Sequence, residues 1–191
     1  PLADPYMIEK KNVQKRIRLF EKGPMRELNL ANLELRQFPD VLVDDKKLEK
    51  YKTKLKVMSL NRNMICMIPD NFMKAAFIRT FTISNNNLHF LPQNIGDMVN
   101  LTQLDVSYNC LEALPETIRH LTKLKELSLA WNKIKTIPVG VIGSLSVLRA
   151  LDLSGNQLTH LPDDVCDMKG LAILSCAYNN LLRLPEEIGR V

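Results

Sequence analysis

One short pattern recurs seven times along this chain of 191 residues, and no other feature restricts the fold as strongly. Four copies are nearly regular: LTQLDVSYNCLEALP from Leu101, LKELSLAWNKIKTIP from Leu124, LRALDLSGNQLTHLP from Leu148 and LAILSCAYNNLLRLP from Leu171. Two more begin at Leu55 and Ile78, and a degenerate one at Met25. Successive starts lie 30, 23, 23, 23, 24 and 23 residues apart. Self-similarity at so regular a period is the mark of a stacked-repeat architecture.

Each copy reads LxxLxLxxNxLxxLP, with apolar or Cys replacements. Apolar residues at positions 4 and 6 flank a polar one at 5, which predicts a short strand with one buried face. Stacked copies would set these strands side by side in a parallel sheet, about 4.8 Å apart. The chain then turns at position 9, occupied by Asn63, Asn86, Asn109, Asn132, Asn156 and Asn179. An amide there both donates and accepts, and so predicts an Asn ladder that satisfies backbone groups buried by the turn. Positions 11 and 14 fill the interior, and the following Pro fixes the return path. The outer segments, such as PETIRHLTK, suit short helical turns. The expected fold class is therefore an α/β solenoid, a horseshoe with a parallel sheet on its concave face and short helices or turns on its convex face. No repeat buries its apolar face alone, so stability is a sum over neighbouring interfaces.

The ends depart from the pattern. In the first copy Leu33 stands where later copies have Asn, and its outer segment is enlarged by DDKKLEKYKTK. Leu48, Tyr51 and Leu55 follow an acidic start at Asp44–Asp45 and predict a basic amphipathic helix. A second helix is predicted over residues 7–21, with Ile8, Val13, Ile17 and Phe20 on one side. The expected organisation is an N-terminal capping helix in residues 1–24, then a domain of seven repeats over residues 25–191 with its C-terminal cap absent or truncated. A chain that starts at Pro1 and would begin its next repeat near position 194 reads as a piece of a longer protein.

Composition narrows the function. No run of about 18 apolar residues is present, and the N-terminus has no secretory pattern. Cys66, Cys110, Cys166 and Cys176 are scattered without CxxC spacing. They read as free thiols, which points to a reducing compartment and an expected cytoplasmic location. The net charge of +5 is uneven. Residues 1–56 hold 14 Lys/Arg against 9 Asp/Glu, whereas residues 57–191 hold 12 against 12.

The stretch LPETIRHLTKLKELSLAWNKIKTIP resembles the intracellular leucine-rich repeats of the Ras-suppressor and plant Ras-group proteins. Repeats of this type also form regulatory sections of yeast-type adenylyl cyclases, certain deadenylases and Roco kinases. The resemblance spans residues 25–190. It implies a curved solenoid whose concave sheet grips a partner protein, with a small GTPase or a signalling enzyme as the class of partner.

The pattern leaves positions 3, 5, 7, 8 and 10 free to vary. Position 8 reads Arg62, Asn85, Tyr108, Trp131, Gly155 and Tyr178, position 5 includes Asp105 and Asp152, and position 3 includes Gln103 and Glu126. The candidate partner-binding set is accordingly Arg62, Asn85, Gln103, Asp105, Tyr108, Glu126, Trp131, Asp152 and Tyr178, an aromatic row beside an acidic one. Tyr and Trp serve as binding anchors because they bury large rigid area at low entropic cost. The competing reading is that these rings pack on one another beside the Asn ladder.

Catalytic readings are thinner. Asp105 and Asp152, two repeats apart, are expected about 9–10 Å from each other, at the edge of the range for an inverting glycosidase pair, with no pocket predicted. Cys66 and His89 share position 12 of adjacent repeats but have no third group to activate a thiolate. The histidines have no metal-ligand spacing, and no phosphate-binding glycine loop occurs. No enzyme activity and no cofactor are expected. The basic residues of 1–56 offer an alternative, a nucleic-acid or anionic-lipid surface, but stacking groups are sparse there, and a solvated face on two helices is preferred. The sequence reads as a monomeric protein-recognition domain, with the regulatory segment of a larger enzyme as a further alternative.

Overall fold

The structure, a computed structural model, describes residues 5–190. Residues 1–4 of the expected capping segment and the terminal Val191 lie outside them. Seven three-residue strands form one parallel sheet in strict chain order. They are β1 (Glu27–Asn29), β2 (Val57–Ser59), β3 (Thr80–Thr82), β4 (Gln103–Asp105), β5 (Glu126–Ser128), β6 (Ala150–Asp152) and β7 (Ile173–Ser175). Each begins at position 3 of a copy, and the register pairs like positions: Gln103 faces Glu126, Leu104 faces Leu127, and Asp105 faces Ser128. The fold is the expected solenoid.

Position 4 is buried in all but the last copy, and leucines or their replacements at positions 1, 6, 11 and 14 join it in one continuous core from Val13 to Leu171. Phe38, Phe72 and Phe81 interlock beneath the first three strands, with centroids 4.7 Å and 5.3 Å apart. At β7, an edge of the sheet, side chains that neighbours cover elsewhere are open: Leu184 is 50% exposed whereas the equivalent Leu161 is 3%.

The Asn ladder forms as the pattern requires. Asn109 is typical: its Oδ1 accepts from the Leu88 N–H of the preceding repeat. Its Nδ2 donates to Ile83 O of the preceding repeat and to Val106 O of its own. Where Leu33 replaces Asn, Asn63 covers the deficit by accepting from both Leu33 N and Leu35 N.

The outer segments are 3-10 turns, at Asp70–Lys74, Glu116–His120 and Asp163–Asp167 among others. These three follow Pro69, Pro115 and Pro162 and span too few residues for a regular α-helix. Helix α1 (Pro5–Lys22) buries Val13, Ile17 and Phe20. Ile8, placed on the same face by the sequence, is instead 47% exposed, because the buried stripe starts a turn later, at Val13. Helix α2 (Asp45–Tyr51) fills the enlarged outer segment and buries Leu48 and Tyr51. Its N-cap is Asp44, whose side chain accepts from Lys47 N.

Helix α2 holds α1. Lys50 Nζ and Tyr51 Oη both donate to Glu21 at 2.9 and 2.8 Å, and Lys47 lies 3.5 Å from the same carboxylate. Lys54 donates to the Phe20, Glu21 and Gly23 carbonyls at the end of α1, where a cation also favours the helix dipole. Several lysines of the basic N-terminal third are thus engaged in joining the two helices. None of the described helices is long and apolar enough to cross a membrane. Among the described residues no disulfide joins the four cysteines, and Cys66 is exposed.

Candidate functional site

The candidate residues sit where each strand leaves the sheet. Three residues past β4 the backbone of Tyr108 takes φ of 53°, and Arg62, Asn85, Trp131 and Tyr178 repeat it within 2°, as Asn32 does in the first copy. Position 8 is therefore a left-handed turn, a requirement the sequence reading did not identify. Gly155 at the same position, with φ of 66°, and the Asn residues were its available signal, since those residue types adopt this conformation at least cost. The bend is pinned on both sides: Tyr108 N donates to Ala130 O, and Asn109 N donates to Trp131 O. It turns the side chains outward, leaving Tyr108, Trp131 and Tyr178 exposed by 51%, 46% and 77%.

The three rings form one row. Tyr108 and Trp131 stack at 5.9 Å between centroids and 12° between planes. Trp131 meets Tyr178 at 5.7 Å and 32°, although the repeat of Gly155 lies between theirs. Gly155, with no side chain, lies under the indole and lets it lean across. A centroid distance near 6 Å for nearly parallel planes means slipped, overlapping rings rather than a face-to-face stack. The rings do pack on one another, as the competing reading had it, and the row still presents a broad apolar strip to solvent.

Arg62 and Asn85, both exposed, continue the line of left-handed positions towards the N-terminus. Gln103 and Glu126 are paired neighbours on β4 and β5. Asp105 Oδ1 accepts from the N–H and the hydroxyl of Ser107, and Asp152 Oδ1 accepts from Ser154 N. Each carboxylate closes a turn on its own backbone two residues ahead, so part of the acidic row is structural. Cys66 and His89 are both exposed. Among the described residues no group of three His, Cys, Asp or Glu side chains is placed to hold a metal.

The leucine rich repeat family model matches residues 77–134 and 122–181, together more than half of the chain. The chain belongs to the leucine-rich-repeat family. Among solved structures, the leucine-rich-repeat chain of a TLR13–ssRNA13 complex superposes with a TM-score of 0.76 at 22% identity. That match covers 96% of this chain and a quarter (25%) of the TLR13 chain. A Leptospira interrogans leucine-rich-repeat protein matches with a TM-score of 0.48 at 22% identity, covering 92% of this chain and 61% of its own. The present chain thus spans less than two thirds of either. No curated protein sequence matches it.

Proposed function

We propose that this leucine-rich-repeat domain recognises a protein partner on the sheet face, with Tyr108, Trp131 and Tyr178 as the anchoring strip, as an intracellular signalling scaffold of the Ras-suppressor type. One observation carries the reading. Position 8 demands a left-handed backbone, which Asn32, Asn85 and Gly155 supply cheaply. Three bulky aromatics occupy it instead, each costing on the order of 1 kcal/mol or more, and they stand about half exposed or more. Folding alone favours Asn or Gly there; recognition favours large rigid rings.

Arg62, Asn85, Gln103, Asp105, Glu126 and Asp152 surround the strip with polar groups, the arrangement of a contact patch with an apolar centre and a polar rim. A signalling partner such as a small GTPase follows from the sequence resemblance, and a solenoid of this kind also serves as a regulatory segment of a larger enzyme. Nucleic acid is the second reading, drawn from the basic residues of the N-terminal third. It is weakened because Lys47, Lys50 and Lys54 are turned to α1.

The test is affinity capture from cytosolic extract with wild type and the Tyr108→Ala, Trp131→Ala double variant at low and high salt. A protein retained at high salt by wild type alone supports the reading. Retention of the same protein with equal affinity by both overturns it, and capture that vanishes with salt for both moves the contact to the basic helices.

A further inference from the structure

A second row runs along the other border of the sheet face, at position 2, one residue before each strand. Backbone hydrogen bonds link its members directly. Lys56 N donates to Arg26 O, Arg79 N to Lys56 O, Thr102 N to Arg79 O, Lys125 N to Thr102 O, and Arg149 N to Lys125 O, all at 2.7–2.8 Å. The row ends at Ala172, whose N–H donates to Arg149 O, and five of its seven members are cationic. The repeats that contribute most of them belong to residues 57–191, where Lys/Arg and Asp/Glu balance at 12 each. Arg79, Lys125 and Arg149 are three of those twelve cations, so the border is basic there without a general excess of positive charge.

Arg26, Arg79, Lys125 and Arg149 are exposed. None of them makes an ion pair among the described residues. Lys56 is partly engaged, donating to Lys52 O. Like charges on adjacent strands, about 4.8 Å apart, disfavour folding slightly, and among the described residues no carboxylate is in ion-pair contact with Lys125 or Arg149. An anionic occupant would relieve that repulsion.

Resting on the reading of the sheet face as a protein-recognition surface, we infer that this basic border takes an acidic segment of the partner, whose carboxylates align along the solenoid axis. The neighbouring charges choose between anions. Glu126, Asp105 and Asp152 occupy positions 3 and 5 beside the row, within about 3–10 Å along the strand. That lies inside a Debye length at physiological salt. A nucleic-acid strand carries its charge on the backbone itself and would lay phosphates against them. An acidic peptide instead carries its charge on side chains, holds carboxylates over the border and turns uncharged backbone towards these acids, and a partner protein adds apolar groups over the aromatic strip.

The probe is fluorescein-labelled poly-L-glutamate, titrated by anisotropy at low and physiological salt, with a single-stranded oligouridine as comparison. Wild type is expected to bind polyglutamate more tightly than oligouridine. Lys125→Glu with Arg149→Glu weakens that binding by about tenfold or more, while Lys10→Glu with Lys11→Glu, equal in charge change, leaves it within about twofold. Lys125→Gln with Arg149→Gln gives a smaller loss in the same direction and replaces the reversal variant if that one melts early. Trp131→Ala keeps polyglutamate affinity, because the probe has no apolar anchor, so failure here and failure of the aromatic strip are read separately. The inference is overturned if wild type does not bind polyglutamate at low salt or if both charge variants lose it equally. It is equally overturned if oligouridine binds more tightly and is the ligand that the Lys125, Arg149 variants release.

Discussion

Trp131 lies directly over Gly155: a β-carbon built on the glycine would stand 2.6 Å from indole Cδ2 and 2.8 Å from Cε3. The glycine serves two demands at once, since its φ is also +66°. Gly155→Ala must both strain the turn and displace the ring, with an expected loss of about 2 kcal/mol. Chemical denaturation measures the loss. The chain has a single Trp, so its emission reports the displaced indole directly, with a shift that Gly140→Ala, whose β-carbon would meet nothing within 4 Å, does not produce. Unchanged stability and emission in Gly155→Ala would refute the close approach.

The Asn ladder grades stability along the solenoid. Replacing Asn109 by Ala orphans the buried Leu88 N–H and removes one of two amide donors from each of the Ile83 and Val106 carbonyls, which keep those of Asn86 and Asn132. The expected cost is about 1–3 kcal/mol, because the buried amide left unpaired forfeits its solvation. Asn179 makes the equivalent bonds with Leu158, Leu153 and Cys176, but it sits partly exposed at the β7 edge. Water replaces its partners there, so Asn179→Ala should cost about half as much. Urea titration of the two variants compares them, and equal costs would mean that the repeats do not unfold as one cooperative unit with a graded edge.

The strands, the ladder and the core were legible because each rests on a residue type repeated six or seven times, so that a local preference and its neighbour's preference coincide. The left-handed turn at position 8 was masked by Arg62, Tyr108, Trp131 and Tyr178, residue types that do not advertise it. The contact of Trp131 with Tyr178 was hidden for a different reason: it depends on the absence of a side chain at Gly155, in the repeat between theirs. The acidic row looked uniform in sequence, yet Asp105 and Asp152 hold turns while Glu126 is open to solvent. Ile8 was misplaced because periodicity gives the face of a helix but not where its packed length begins.

On the outer side, position 17 carries a ladder of its own. Asn94 Nδ2 donates to Asp70 O, and Thr117 Oγ1 donates to Gln93 O. At Gly140 the direction reverses: Asp164 Oδ2 of the next repeat accepts from Gly140 N at 2.7 Å and Gly143 N at 3.2 Å. Asp164→Ala leaves both amides without this acceptor and should cost about 1–3 kcal/mol. Asp164→Asn keeps one acceptor oxygen and should recover about half of that. Thermal melts of the pair decide it, and equal loss in both would assign the effect to packing rather than to the accepted hydrogen bonds.

The junction of the two helices makes stability depend on acidity. Glu21 is held well below the usual carboxylate range, at about 2, first by the hydrogen bond from Lys50, then by that from Tyr51, and further by the charge of Lys47. A carboxyl whose pKa is lowered on folding stabilises above its unfolded value of 4.5 and loses that contribution as pH falls towards 2. With the Glu21 side chain 23% exposed, solvent screening leaves about 1 kcal/mol of this at neutral pH. Tyr51 works at the other end: burial, then the hydrogen bond and charge of Glu21, push its hydroxyl well above its ordinary value of 10.0. Stability is therefore lost above pH 10 as well, where the unfolded chain ionises the tyrosine first. Urea midpoints at neutral pH and near pH 3 should differ more for wild type than for Glu21→Gln. The Gln variant should also lose less stability above pH 10, since without the charge of Glu21 the folded tyrosine ionises closer to its unfolded value. Parallel pH profiles for the two proteins would mean that α1 is kept in place by Val13, Ile17 and Phe20 alone.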